Sequence, residues 1–405
     1  MADITLSIIY TIFFIEFAIA FFFLIFYIKQ RSLPTNIKLA YHKITFVIPA
    51  YNCANVLEKT IRSIKNAKYD KEKINIIVVN DGSTDNTLKV AKSLEKKYSR
   101  VQVFNKTNGG KAEAVNFGIK KVKTPFLVVL DSDTLIKQDL LEKSVSLFSD
   151  SATMAVTSRL KPLNNKKLIE RMQYVEYTLA GFYRMITSKL SSLPVAPAFT
   201  IYRKKFFDKH GYFEKNNLTE DFEMGLRIQS NHYNMGYEAH SYALTVVPDN
   251  LHSLIRQRRR WAYGTFYNYK KYRKLFFNSL YGDLGIFILP FGLVSIFIVS
   301  IAFLLGIYML SSWVYNRITW LLAGWIPSFS PDLERLFIAS TELRIILMFI
   351  AVFIGTIILF ITKSEFKEKI TLKDYFLTIT IYLWILAFTY VLTFAYFLTG
   401  KKPKW

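Results

Sequence analysis

The chain of 405 residues carries 53 Lys+Arg against 30 Asp+Glu, for a net charge of +23, and is 52% apolar with 35 Phe and 25 Tyr. Basic charge combined with so much aromatic and aliphatic bulk is uncommon in soluble proteins and points to a membrane. Nucleic-acid binding is not expected, because no nucleic-acid-binding signature is present and much of the excess charge lies beside apolar segments. The single cysteine, Cys53, excludes an internal disulfide and argues against zinc.

Residues 4–28 form the first apolar run, and a membrane span takes about 20 such residues. The run lacks a basic leader and a small-residue cleavage site, so it reads as an anchor rather than a signal peptide. Lys29, Arg31 and Lys38 follow it and place its C-terminal end in the cytoplasm, together with a domain over 38–260.

Within that domain the pattern changes. Strands are predicted at 44–48, 74–79, 101–104 and 126–130, and helices at 55–67, 84–98 and 112–121. Strand alternating with helix implies an α/β fold with a mostly parallel sheet covered on both faces. Ligands bind such sheets at the carboxyl ends of the strands. Each strand here delivers polar residues at that end: Tyr51 and Asn52; Asp81 and Ser83; Asn108 and Lys111; Asp131 and Asp133. Alone, an Asp-Gly-Ser after a strand is an ordinary turn and helix cap. Four convergent sets are not explained that way. Two carboxylates at a strand tip suit a hard cation such as Mg²⁺ or Mn²⁺, which in turn neutralises a phosphate or diphosphate. Neither a P-loop nor a dinucleotide-binding glycine fingerprint is present.

Further along, 165–190 and 258–277 combine basic and aromatic residues, as interfacial helices do. The second overlaps an interfacial segment expected over 261–280. The membrane region is expected over 284–399 with about three helices, from apolar runs at 284–310, 343–361 and 375–399. The loop 363–374 carries four lysines and fits the cytoplasmic side, whereas three C-terminal spans put the basic tail GKKPKW outside. The stretch 313–326 is the place where a further span is suspected. His252 is read as a surface histidine rather than a metal ligand.

The motifs PAYN (49–52), VVNDGSTD (78–85), NGGKAEAVNFG (108–118), DSD (131–133), TED (219–221) and QRRRW (257–261) occur in this order. The pattern resembles the membrane-integrated family 2 glycosyltransferases with a GT-A fold, the branch of hyaluronan, cellulose, chitin and poly-N-acetylglucosamine synthases. Ceramide glucosyltransferases share much of it. The resemblance implies that Tyr51, Asn52 and Asp81 contact a nucleoside, most often uridine, with Lys111 and Asp131 near the nucleotide-sugar. It implies Asp131 and Asp133 at the metal, Asp221 as general base, and Glu220, Gln257, Arg260 and Trp261 at the diphosphate and acceptor end. The family commonly has an acid after PxYN, where this chain has Cys53. The stretch 194–203 stands where the branch has a loop that shapes the acceptor site.

The expected activity is inverting β-transfer from a UDP-sugar at the cytoplasmic face of the cell membrane. The acceptor is either a glycan, extended processively into an extracellular polysaccharide, or a membrane lipid that receives one sugar. A non-catalytic membrane subunit that keeps the fold is the alternative from another class; the intact carboxylates argue against it. Oligomerisation is compatible with either acceptor.

Overall fold

The computed structural model describes residues 21–22, 24–28, 42–324 and 343–400. Most of the anchor predicted at 4–28 lies outside these residues; 24–28 are helical.

Strands β1 (Ile44–Ala50) and β2 (Ile74–Asp81) are nearly continuous apolar runs, and every residue of β1 is buried. A strand covered on both faces requires such a run rather than an alternation. With β3 (Val101–Lys106) and β4 (Phe126–Leu130) they form a parallel block in the order β3-β2-β1-β4. Helices α1 (Ala54–Lys65), α2 (Thr87–Lys97) and α3 (Lys111–Lys121) connect them, close to the predicted bounds.

Alternate side chains of each strand leave on opposite faces. Phe46, Ile48 and Val78 pack under Leu57, Ile61 and Leu94 of α1 and α2. Val47, Ile77 and Val79 pack under Ala114, Val115 and Ile119 of α3.

Beyond β4 the sheet continues in mixed orientation, a part with no clear pattern in the sequence. β5 (Leu135–Ile136), β6 (Thr153–Pro162), β7 (Phe199–Arg203) and β8 (Asn234–Thr245) complete eight strands in the order β3-β2-β1-β4-β7-β6-β8-β5. β7 runs antiparallel to both β4 and β6, while β6 and β8 are parallel. The intervening helices are α4 (Leu140–Ser146), α5 (Leu168–Lys189), α6 (Lys204–His210) and α7 (Glu220–Ser230). α8 (Leu251–Lys271) follows β8 and runs without a break through residue 260.

Among the described residues, two C-terminal helices are long and apolar enough to cross a membrane, α9 (Leu284–Leu322, 39 residues) and α11 (Leu372–Leu398, 27 residues). Between them lies α10 (Leu343–Phe366). At about 1.5 Å per residue α9 is roughly 58 Å long, well beyond a hydrocarbon core of about 30 Å. Residues 313–322, where a separate span was suspected, therefore continue α9; 325–342 lie outside the described residues.

The lysine-rich connection after α10 and the first turn of α11 dock on the α/β domain through two acids. The Glu368 carboxylate accepts from Arg159 Nη1 (2.5 Å), Lys161 Nζ (2.7 Å) and the Tyr174 hydroxyl. Arg171 Nε donates to Asp374 Oδ1 at 2.6 Å.

Candidate active site

The site is built at the carboxyl ends of the parallel strands. The chain leaves β1 at Tyr51, 51% exposed, and Asn52, whose φ of 47° lies in the left-handed region that asparagine tolerates. The Asn52 backbone N–H donates to Ser83 Oγ (3.0 Å), and the Thr84 N–H donates to Asn52 Oδ1 (2.9 Å). Asn52 thus ties the β1 loop to the β2 loop. Cys53, in the place of the family's acid, is buried, and its N–H donates to Thr87 Oγ1 at 2.8 Å.

Asp81 is 3% exposed and its carboxylate is already engaged. It accepts from Lys106 Nζ (2.7 Å) and from the N–H groups of Gly109 (3.0 Å) and Gly110 (2.8 Å). These bonds hold the turn before α3, where Gly110 takes a φ of 86°. A residue with a Cβ adopts that conformation only under strain. Asp81 thus supports the loop that presents Lys111.

Lys111 opens α3 and reaches across the strand ends. Its Nζ lies 2.7 Å from Asp131 Oδ1 and 3.3 Å from Glu220 Oε1. Burial opposes its charge, but Asp131, Glu220 and Asp221 outweigh burial and hold its pKa above the usual lysine value. The Asp133 carboxyl is pushed up by burial and by the charge of Asp131.

On the far side, α7 begins with Glu220 and Asp221. Phe222 N–H donates to Asp221 Oδ1 at 2.8 Å. Burial, then the neighbouring Glu220, raises the Asp221 pKa to about 6, against the lowering effects of Lys111 and Arg260. α8 closes the site. It approaches the Thr219 turn so tightly that a Cβ on Gly264 would lie 2.2 Å from Thr219 Oγ1.

Lys111, Asp131, Asp133, Asp221, Gln257, Arg260 and Trp261 line one cavity of about 360 Å³. Glu220 lines a smaller recess that shares Lys111, Asp131 and Asp221 with it. Tyr51, Asn52 and Asp81 do not line that cavity; they occupy the neighbouring strand ends. His252 is exposed and pairs with Arg256 at 2.7 Å, away from the carboxylates. Among the described residues no group of three or more His, Cys, Asp or Glu side chains is arranged around a cation.

Sequence reasoning missed three residues here. Arg258 donates to Gln257 Oε1 (2.5 Å), Glu176 Oε2 (2.5 Å) and the Tyr382 hydroxyl (2.9 Å), and its guanidinium lies 4.1 Å from the Trp261 ring centroid. It joins α8, α5 and α11 and braces Trp261. Within a run of three arginines nothing marks Arg258 as different. Glu176 and Arg184 also line the cavity, from α5. Their eight-residue separation puts them on one helix face, a signal open to view but shared by any amphipathic helix.

Residues 45–211 match the family described as Glycosyl transferase family 2. Over 224 residues the chain is 30% identical to poly-beta-1,6-N-acetyl-D-glucosamine synthase of Staphylococcus aureus (strain MSSA476), covering 55% of this chain and 54% of that protein. The synthase of the same name from Staphylococcus epidermidis is 28% identical over an equal span. The chain thus spans about half the length of the curated relatives it matches. A mannosyltransferase from Pyrobaculum calidifontis, solved with GDP-Man and Mn²⁺, superposes with a TM-score of 0.56 at 16% identity, covering 89% of this chain and 100% of that one. That likeness carries the fold. Residues 45–211 thus resemble a glycosyl transferase family 2 domain, on a GT-A-like, mostly parallel α/β sheet followed by long apolar helices.

Proposed function

We propose that this protein is a membrane-integrated, metal-dependent, inverting β-glycosyltransferase that uses a UDP-sugar and extends an extracellular polysaccharide. The observation that carries the reading is the meeting, in one cavity, of Asp221 with the Asp131/Asp133 pair and the Gln257, Arg260 and Trp261 side chains. The likeness to poly-N-acetylglucosamine synthases supports a polymer product and puts UDP-N-acetylglucosamine first among donors to try. The apolar helices support membrane integration, and the lysines of 363–374, on a segment docked against the catalytic domain, support a cytoplasmic active site.

Asp131 and Asp133 are the residues that would hold Mg²⁺ or Mn²⁺. Their oxygen donors suit a hard cation, and Asp133, whose pKa is raised first by burial and then by the charge of Asp131, holds a carboxylate whose charge a cation would stabilise. Bound there, the metal supplies charge neutralisation at the donor diphosphate.

The protein's own groups do the rest. Tyr51 and Asn52 form the nucleoside end, and the Asp81-supported turn sets Lys111 beside the nucleotide. Asp221 accepts the proton of the acceptor hydroxyl as that oxygen bonds to the anomeric carbon and the bond to the diphosphate breaks. One displacement inverts the configuration and gives a β-linkage. Arg260 stabilises the departing charge. Trp261, held by Arg258, offers its face to a sugar ring, with Gln257 and Glu220 bordering the same end.

The test is to incubate lipid-reconstituted protein with Mn²⁺ or Mg²⁺ and labelled UDP-sugars, then to size the product. A large, glycosidase-sensitive product supports the polymer. Label confined to organic-extractable lipid supports instead a glycolipid synthase, the reading favoured by the modest number of apolar helices. No transfer from any donor removes both and leaves a non-catalytic subunit.

A further inference from the structure

The cations lining the 360 Å³ cavity each have an acid beside them, with one exception among the described residues. Lys111 is bound to Asp131 and Glu220. Glu176 is bound to Arg258. Arg260 acts on Asp221. Arg184, on the same face of α5 as Glu176 and Ala180, lines the cavity too. Among the described residues its side chain has neither a hydrogen-bond partner nor a carboxylate within ion-pair distance. The groups that feel its charge are the phenols of Tyr177 and Tyr237, which do not neutralise it.

An arginine in a half-buried cavity with no acid beside it is a standing demand for an anion. Its planar fork suits phosphoryl or carboxylate oxygens, which it holds through two parallel hydrogen bonds. The rest of the cavity narrows the choice. Once a divalent cation neutralises Asp131 and Asp133, and Lys111 is balanced by Glu220, little positive charge faces an incoming phosphate besides Arg260 and Arg184. We propose that Arg184 is an anion-binding residue of this cavity that takes phosphoryl oxygens of a substrate, from either the donor diphosphate or a phosphate carried by the acceptor. The inference rests on the transferase function proposed above.

The experiment uses the full chain in lipid nanodiscs with Mn²⁺, comparing wild type, Arg184→Gln and Arg184→Lys by calorimetry. The probes are uridine, UDP and inorganic phosphate, the last added with and without saturating UDP. If the donor diphosphate is the partner, Arg184→Gln weakens UDP by about 10-fold or more and leaves uridine unchanged. If an acceptor phosphate is the partner, UDP binding is unchanged and the binding of inorganic phosphate to the UDP-loaded protein is lost. In either case Arg184→Lys is intermediate, because it keeps the charge and loses the fork. Equal binding of UDP and of phosphate by wild type, Arg184→Gln and Arg184→Lys overturns the proposal. A wild type that binds no UDP removes the transferase reading instead, and its phosphate binding, kept or lost in Arg184→Gln, still decides the anion site. Should Arg184→Gln fail to fold, the lysine variant carries the comparison.

Discussion

The Lys111 ammonium lies 2.7 Å from Asp131 and 3.3 Å from Glu220, so one cation joins the end of β4 to the start of α7. Its charge also lowers the pKa of Asp221. Lys111→Met should therefore move the acid limb of the pH–rate profile upward from about 6, because the base is then harder to ionise. The shift is read from kcat/KM at saturating metal. An unmoved limb would separate Lys111 from Asp221.

Asp81 supports a loop rather than pointing into the cavity. Its carboxylate accepts three hydrogen bonds, from Lys106, Gly109 and Gly110. Asp81→Asn should weaken UDP and GDP in proportion, by about 1.5–3 kcal/mol, the usual range for hydrogen bonds to a charged group. A loss confined to UDP would instead make Asp81 a reader of the base. Calorimetry with the two nucleotides tells these apart.

Gly264 lets α8 lie against the Thr219 turn, where a Cβ would come within 2.2 Å of a hydroxyl oxygen. Gly264→Ala should push Trp261 and Arg260 away from Asp221. A displacement on the order of 1 Å costs about 100-fold in rate. The loss should fall on kcat, with KM for the donor little changed, since the nucleoside end lies on other strands.

Glu368 and Arg159 are both almost wholly buried and are paired at 2.5 Å. Glu368→Ala leaves an arginine inside without its partner, and a broken buried pair costs about 3–5 kcal/mol. Thermal unfolding in detergent should show this as a clear drop in Tm. A Tm equal to wild type would mean that the junction with the C-terminal helices contributes little.

The parallel half of the domain was open to sequence reasoning because its signals are local. Strands such as ITFVIPA and INIIVVND are buried on both faces, and each ends in a polar turn. The second half was not, because β6, β7 and β8 owe their order to pairings across many residues, including a strand inserted antiparallel between β4 and β6. The same holds for the site. Asp131, Asp133, Asp221 and Trp261 stand in short motifs whose residue types declare their chemistry. Arg258 and Arg184 do not, because what separates a paired arginine from an unpaired one is the company it keeps in three dimensions. Asp81 was found by motif, yet its loop-holding bonds became visible only once Gly109 and Gly110 were seen folded back upon it.

The Asp221 pKa carries a stability consequence with a definite sign. A carboxyl raised from its ordinary value to about 6 favours the folded state while protonated, and that contribution is lost as pH rises toward and through 6. At pH 7.5 the charge of this half-buried carboxylate therefore costs stability. Asp221→Asn should raise Tm there, and the difference should vanish near pH 4, below which both states are protonated. An unchanged Tm at pH 7.5 would argue that the carboxyl is less buried than the structure places it.

The most direct measurement is transfer from a labelled UDP-sugar by reconstituted wild type and Asp221→Asn at saturating Mn²⁺, with UDP binding measured on the same preparations. The proposed function predicts that Asp221→Asn binds UDP as wild type does and transfers sugar at least about 100-fold more slowly, the contribution expected of a general base. Equal transfer by the two proteins would contradict it.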